Sequence, residues 1–268
     1  VIRPAFEEYA NRCDKEKVIA FVPQTEDFSY DENDVMDFFE GKDLDCLVLV
    51  NPDNPTGNYI SRKGMLKLAR WTKEKNIRFL ADESFVDFSE EAEPTLLVEE
   101  LLDENPHMIV VKSISKSYGI PGLRLGVAAS GDTDLIGQLK KDVAIWNINS
   151  FGEFYMQIEE KYRKDYNSAL DKLRGERTRF AEKLSKLPGV RVFPSQANYL
   201  MVELTGKSIS ATEITELLLT RYNLFIKDLS SKISRNGRQF LRIAIRNEAE
   251  DNILVKALKE ILAQCSKQ

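Results

Sequence analysis

Met108-Ile109-Val110-Val111-Lys112 runs without a break into Ser113-Ile114-Ser115-Lys116-Ser117-Tyr118-Gly119-Ile120-Pro121-Gly122-Leu123-Arg124-Leu125-Gly126. A short apolar, β-branched run bounded by turn formers reads as a buried strand. A plain turn does not account well for a lysine set among serines and glycines at the end of such a strand. Small residues let a backbone approach a bound molecule, and the lysine supplies an amine there. Working outward, similar runs occur at Val18 to Val22, Cys46 to Val50, Ile77 to Ala81 and Leu125 to Ala129. Helical patterns lie between several of them. In Ser61 to Asn76, Ser61 is a candidate N-cap and apolar residues recur at Met65, Leu68, Ala69 and Trp71. Apolar strands alternating with amphipathic helices predict an α/β fold with a parallel sheet covered on both faces.

Two more strand ends carry polar clusters. Leu47-Val48-Leu49-Val50 leads into Asn51-Pro52-Asp53-Asn54-Pro55-Thr56-Gly57, and Ile77 to Ala81 leads into Asp82-Glu83-Ser84-Phe85. Taken singly, the first is a turn-rich connection and the second a helix cap. In open α/β sheets, however, ligands bind beyond the carboxyl ends of the strands. Asn54, Asp82 and Lys116 all follow strands directly, so they can converge on one crevice.

After about residue 150 the pattern changes. A charged helical stretch covers Phe151 to Lys186 and stops at Leu187-Pro188-Gly189. Strands are expected at Val190 to Phe193 and Asn198 to Leu204, a helix at Ala211 to Tyr222, strands at Leu224 to Lys227 and Phe240 to Arg246, and a closing helix from Glu248. This predicts a large α/β domain over residues 1–150 and, over 151–268, a linking helix with a smaller α+β domain.

Composition narrows the function classes. The net charge is -5, and the 38 Lys and Arg sit among acidic neighbours, which argues against a nucleic-acid partner. No apolar run approaches the ~20 residues of a membrane helix. Cys13, Cys46 and Cys265 are far apart and odd in number. They offer no metal spacing and no disulfide framework, and they suit a reducing cytoplasm. The single histidine, His107, sits in Asn105-Pro106-His107 and reads as a surface-loop residue, so proton transfer must fall to another group. The first residue is Val1, not Met, and the natural N-terminus is expected to lie upstream.

Asn54-Pro55-Thr56-Gly57, then Asp82-Glu83, then Ser113-x-Ser115-Lys116, then Arg124 eight positions after the lysine, form an ordered set, each member following a strand. The set resembles the signature of pyridoxal-phosphate-dependent class I/II aminotransferases of fold type I. Gln196-Ala197-Asn198-Tyr199 and Phe240-Leu241-Arg242-Ile243 add matches. Ile120-Pro121-Gly122-Leu123-Arg124 and Trp146-Asn147-Ile148-Asn149-Ser150 resemble the histidinol-phosphate aminotransferase and threonine-phosphate decarboxylase branch.

The resemblance implies a three-layer α/β/α large domain with a mainly parallel sheet and a smaller C-terminal α+β domain. It also implies pyridoxal 5'-phosphate as the cofactor and no metal. Lys116 would form a Schiff base with the cofactor aldehyde and then move a proton, and Asp82 would face the ring nitrogen. Asn54 would donate to the ring hydroxyl, and Ser113, Ser115 and Arg124 would hold the phosphate. Arg242 would pair with the substrate carboxylate, with Asn198 nearby. The expected activity is transamination between an amino acid, or a phosphorylated one, and a 2-oxo acid, in a homodimer. The alternatives are decarboxylation of a phosphorylated amino acid, or a ligand-sensing domain.

Two departures from the family pattern stand out. Phe85 occupies the place of a tyrosine that donates a second hydrogen bond to the ring oxygen; the threonine-phosphate decarboxylase branch also has phenylalanine there. The second departure is upstream: the family has further large-domain chain before the equivalent of Pro4-Ala5-Phe6-Glu7-Glu8-Tyr9. That chain carries a phosphate-binding turn, an aromatic that stacks on the ring and a tyrosine lent to the partner subunit. The chain is therefore expected to begin mid-domain, with an open sheet edge and exposed apolar surface.

Overall fold

The computed structural model describes residues 1–206, 209–233 and 235–265. Contacts divide the chain into two units: Val1–Asn54 with Asn58–Leu170, and Pro55–Gly57 with the chain from Asp171 onward. The division falls inside a long helix and not at residue 150, because the first part of the helical stretch packs back on the lysine segment. Tyr166 stacks on Tyr118, ring centres 4.4 Å apart, and Tyr155 meets Tyr118 edge-on.

In the first unit, strands β1 (Cys46–Val50), β2 (Arg78–Asp82), β3 (Met108–Ser113) and β4 (Gly126–Ala129) form a sheet in that order. The first three are parallel, as the apolar runs predict. β4 is antiparallel to β3. The connection from Ile114 to Leu125 holds only a four-residue helix and a 3₁₀ turn, with no long helix of the kind that carries a parallel crossover. β4 is also the sheet edge, with Gly126, Val127 and Ala128 exposed, so cover on both faces does not extend to it. The expected strand at Val18 to Val22 does not form. Phe21 makes only an isolated bridge to Ile2, and the run, part-exposed and cut off by Pro23, has no longer strand to pair with.

The helices of this unit are α1 (Glu8–Asn11), α2 (Glu32–Phe39), α3 (Arg62–Glu74), α4 (Glu99–Glu104), α5 (Ile114–Ser117), α6 (Thr133–Asp142) and α7 (Ser150–Ile158). Ser61 caps α3 as expected, its hydroxyl accepting the Gly64 N–H at 3.2 Å. Register aligns Leu47 with Phe79 and Met108, and Leu49 with Ala81 and Val110. These alternate positions form one core with Val35 and Phe39 of α2 and Met65, Leu68 and Ala69 of α3. His107 is half-buried, not free in a loop. Its Nε2 lies 2.9 Å from the Ala69 carbonyl and 3.1 Å from the Thr72 hydroxyl, which ties the start of β3 to α3.

The second unit takes the end of α8 (Arg163–Ser185), strands β5 (Val190–Val192), β6 (Tyr199–Leu204), β7 (Lys227–Asp228) and β8 (Gln239–Ala244), and helices α9 (Ala211–Tyr222) and α10 (Glu248–Cys265). The sheet order is β5-β6-β8-β7, all antiparallel, which is the expected α+β arrangement. β6 is buried along its whole length. Leu200, Val202, Leu241 and Ile243 pack with Phe180 and Leu184 of α8, Ile214 and Leu218 of α9, and Leu254, Leu258 and Ile261 of α10. No helix of the described residues is long and apolar enough to cross a membrane.

Gly57 has a specific steric reason to be glycine. Its φ is +79°, and a Cβ would stand 2.2 Å from Ser195 Oγ and 2.9 Å from Ser195 Cα, while its carbonyl accepts the Gln196 N–H at 3.0 Å. Gly57→Ala is expected to cost about 2–4 kcal/mol through overpacking and left-handed strain. Denaturant unfolding measures this, and a variant with the native midpoint would contradict it.

Asp251, in the first turn of α10, is buried and accepts the Arg246 N–H on both carboxylate oxygens. Burial and then the neighbouring Glu176, which Arg179 keeps charged, push its pKa from 3.8 up to about 7. A carboxyl raised on folding contributes stability at low pH and loses it as pH rises through the folded value. Stability should therefore decline between about pH 4 and pH 7. Asp251→Asn should flatten that decline in denaturation curves taken across the range; an unchanged slope would count against the assignment.

Candidate active site

The parallel strands bring three carboxyl ends side by side. Val50 pairs with Asp82 across β1 and β2, and Asp82 pairs with Val111 across β2 and β3. Alternation along the chain then separates the two acids that follow β2. Asp82 is 5% exposed; its Oδ1 accepts the Ser84 N–H at 2.9 Å and its Oδ2 accepts the Tyr9 hydroxyl proton at 2.7 Å. Glu83 turns the other way, accepting the Thr95 hydroxyl at 2.6 Å and the Leu96 N–H at 2.7 Å, with burial raising its pKa. Asp82 is thus offered to a site while Glu83 anchors a loop.

Ser84 joins β2 to the lysine segment, its hydroxyl accepting the Ser113 N–H at 3.1 Å. Ser115 is buried and donates weakly to the Leu125 carbonyl at 3.4 Å. Arg124 has φ +57°, a left-handed conformation that costs a non-glycine residue of order 1 kcal/mol, and its Nη1 donates to the Pro121 carbonyl at 3.2 Å. Asp82, Ser113, Ser115 and Arg124 line one open depression of about 630 Å³, together with Phe6 and Tyr9. That volume lies within the range of about 300–1,000 Å³ typical of small-molecule sites.

The other expected residues are placed differently. Lys116 follows Ser115 in α5 and is exposed, but it does not line the depression. Asn54 is buried in the turn after β1, which Asn51 closes by exchanging hydrogen bonds with Ile60 at 2.8 and 2.9 Å. Phe85 is 8% exposed beside a single 3₁₀ turn, Val86–Phe88. Arg242 and Asn198 belong to the second unit. Arg242, on β8, stands over the Tyr199 ring, 5.2 Å from its centre, and the Asn198 carbonyl accepts the Ile245 N–H at 2.9 Å. Lys112 also lines the depression, and its amine pairs with Asp87 at 2.6 Å, both side chains largely buried. Among the described residues there is no acid, cysteine and histidine cluster that could hold a metal.

The sequence reading missed Phe6 and Tyr9. Their spacing of three puts the rings against one another, centres 6.1 Å apart and edge-on. The reading placed the ring-stacking aromatic upstream of Val1, yet an aromatic, Phe6, borders this depression, nearly half exposed. The only available signal was an aromatic pair beside Pro4, with nothing to link it to a carboxylate 73 positions away.

The donor set suits pyridoxal 5'-phosphate. A buried carboxylate matches a cationic ring nitrogen, two serines and an arginine on the same wall match a phosphate, and an exposed lysine follows directly. Known proteins agree with this composition. The chain is 34% identical over 97% of its length to CMP-5'-(3-aminopropyl)phosphonate synthase of Streptomyces rubellomurinus, of which it spans 41%. It is 35% identical over 97% of its length to L-serine phosphate decarboxylase of Sulfurospirillum multivorans, of which it spans 67%. The solved structure of a decarboxylase from Sulfurospirillum multivorans superposes with a TM-score of 0.86 at 35% identity, covering 97% of this chain and 74% of the other. Histidinol-phosphate aminotransferase from Clostridium acetobutylicum, at 24% identity and a TM-score of 0.84, shares the fold. The family model for aminotransferase class I and II matches residues 2–258, and the cofactor of that family is pyridoxal 5'-phosphate. With motif, fold and donor set in agreement, the chain belongs to the class I and II aminotransferase family.

Proposed function

We propose that the protein carrying this chain is a pyridoxal-phosphate-dependent decarboxylase of an amino acid that bears a phosphate or phosphonate group. The observation that carries this reading is the likeness to L-serine phosphate decarboxylase, 35% identical across 97% of the chain. Threonine-phosphate decarboxylase of Salmonella typhimurium, at 32% identity, supports it too. Transamination, which the motifs favoured, is the second reading; histidinol-phosphate aminotransferases match at 27–28%.

Bound pyridoxal phosphate supplies a sink for the electron pair released when a bond to Cα breaks. The chain's residues prepare that site. Asp82 presents a buried carboxylate that favours a protonated ring nitrogen by opposite charge. Lys116 offers an exposed amine that can hold the cofactor aldehyde covalently and then return a proton. Ser113, Ser115 and Arg124 supply hydroxyl and guanidinium donors for the cofactor phosphate, and Asn54 a donor for the ring hydroxyl. Phe85 brings an apolar ring and no hydroxyl to its place after β2. Arg242 and Asn198 are assigned to the substrate on the family resemblance alone.

A second copy of the chain fits as partner: Ile145, Trp146, Phe151 and Phe154 are 96%, 92%, 79% and 60% exposed, apolar surface that an interface would cover. The cysteine usage favours the cytoplasm.

The longest natural form of the protein, supplied with cofactor and O-phosphoserine or O-phosphothreonine, should release carbon dioxide without needing a 2-oxo acid. Lys116→Ala should abolish both turnover and the visible absorbance band of the bound cofactor. Oxo-acid formation in place of carbon dioxide would establish the transaminase instead.

Phe85→Tyr adds one hydrogen-bond donor toward the ring oxygen. A net contribution of about 1 kcal/mol should move the pH titration of the visible band down by roughly 0.5–1 unit. Superimposable titrations would show that position 85 does not reach that oxygen.

A further inference from the structure

Lys116 rides on α5, a single helical turn whose N-cap, Ser113, makes no side-chain capping bond. A lone turn is marginal by itself, because it fixes many dihedrals for few hydrogen bonds. The bonds that close it are long, Tyr118 N–H to the Ile114 carbonyl at 3.2 Å and Gly119 N–H to the Lys116 carbonyl at 3.3 Å. Order in this turn must therefore come from its neighbours. Ser115 contributes only its weak bond to the Leu125 carbonyl. A polar and aromatic cluster, unused in the roles assigned above, contributes more. Ahead of α5, Asp87 takes the Lys112 amine at 2.6 Å. Just after it, Tyr166 of α8 stacks on Tyr118 with ring planes 15° apart, and Tyr155 of α7 meets the same ring edge-on. The Tyr166 hydroxyl faces both Ser117 and Asp87. It is buried, as is the Ser117 hydroxyl, and among the described residues neither closes a well-formed hydrogen bond in this geometry. Phenylalanine would stack on Tyr118 as well and would bury no hydroxyl, so packing does not account for this group. Burial, and then the Asp87 charge, push the Tyr166 phenol above its ordinary range, so the hydroxyl keeps its proton and stands as a donor toward the carboxylate.

We propose that Tyr166 is a positioning residue for Lys116: its ring and hydroxyl, set against Tyr118, Ser117 and the Lys112-paired Asp87, hold the single turn that carries the lysine. The ring fixes Tyr118. The hydroxyl, donating to Asp87 and accepting from Ser117, ties the residue after the lysine to the carboxylate that holds the strand before it. The segment is then pinned at both ends. An amine held in one orientation attacks an aldehyde more often than one on a loose turn. This inference rests on the cofactor reading above.

The test uses the natural protein containing this chain, freed of cofactor, as native, Tyr166→Phe, Ser117→Ala and the double variant. Phenylalanine keeps the stack on Tyr118 and removes only the hydroxyl. Amide hydrogen exchange is read first. Exchange over residues 114–118 should quicken about tenfold in Tyr166→Phe, with β3 and α8 unchanged. Pyridoxal phosphate is then added at increasing concentration and growth of the visible band is followed. The limiting rate of growth should fall about tenfold in Tyr166→Phe, with the half-saturating concentration unchanged, because the groups that bind the phosphate are intact and only the aim of the amine is lost. A general loss of structure would instead raise the half-saturating concentration. The double variant should be no slower than the slower single one, since both changes break the same contact. Native exchange over 114–118, a native limiting rate, or a changed half-saturation alone would overturn the proposal. Should Tyr166→Phe fail to fold, Ser117→Ala decides the matter by the same two readouts. A native protein that grows no visible band overturns the cofactor reading and this inference with it. A native band whose growth neither variant slows overturns the inference alone.

Discussion

Burying the Asp82 carboxylate at the end of β2 is the constraint around which the first unit is arranged. An ionised carboxylate removed from water costs several kcal/mol unless donors replace the lost hydration. Two donors do so here, the Ser84 amide and the Tyr9 hydroxyl, each a charge-assisted bond worth about 1.5–3 kcal/mol. Each comes from a precise local arrangement. Ser84 is held where its own hydroxyl can take the Ser113 N–H, which fixes the start of the lysine segment against the end of β2. Tyr9 is brought in by a segment whose only sheet-like contact is a single bridge between Ile2 and Phe21. The carboxylate therefore ties together three stretches of chain far apart in sequence.

The same economy governs the neighbouring turn. Asn51 reads as a turn residue, and its side chain both donates to and accepts from Ile60, closing the loop that follows β1. Gly57 ends that motif, and its lack of a side chain lets the Ser195 backbone come within a distance no Cβ tolerates. The motif that looked like a ligand loop is thus at least half a packing device. This is why the glycine and Asn51 can be explained without any bound molecule.

Much of this was legible because strand period and turn chemistry are local. β1, β2, β3, β6, α3 and α9 sit within a residue or two of their expected places, since continuous apolar runs and serine caps are decided by near neighbours. What failed was non-local. Val18 to Val22 has the composition of a strand but no partner strand long enough to pair with. β4 has the composition of its parallel neighbours, and its antiparallel direction has no signal in that composition. Tyr166 stacks on Tyr118, a contact with no sequence signature. For the site, Asp82, Ser113, Ser115 and Arg124 were readable because they follow strands in order. Tyr9 was not, because a tyrosine acquires meaning only from the carboxylate it meets.

The two lysines of the β3 segment show how the fold chooses between chemically equal groups. Lys112 and Lys116 are one helical turn apart in number, carry the same amine, and border the same set of serines. Lys112 lies within the sheet, and its amine meets Asp87 at 2.6 Å in a largely buried pair. Removing either partner of such a pair would strand a buried charge, so Lys112 serves the fold. Lys116 lies past the end of the strand, on the one-turn helix α5, where it is exposed and the sheet makes no demand on its charge. Only an amine that can give up its proton can attack an aldehyde. The strand end therefore does more than place a lysine near a ligand. With the first lysine committed to Asp87, the exposed second one is the amine that the proposed covalent role calls on.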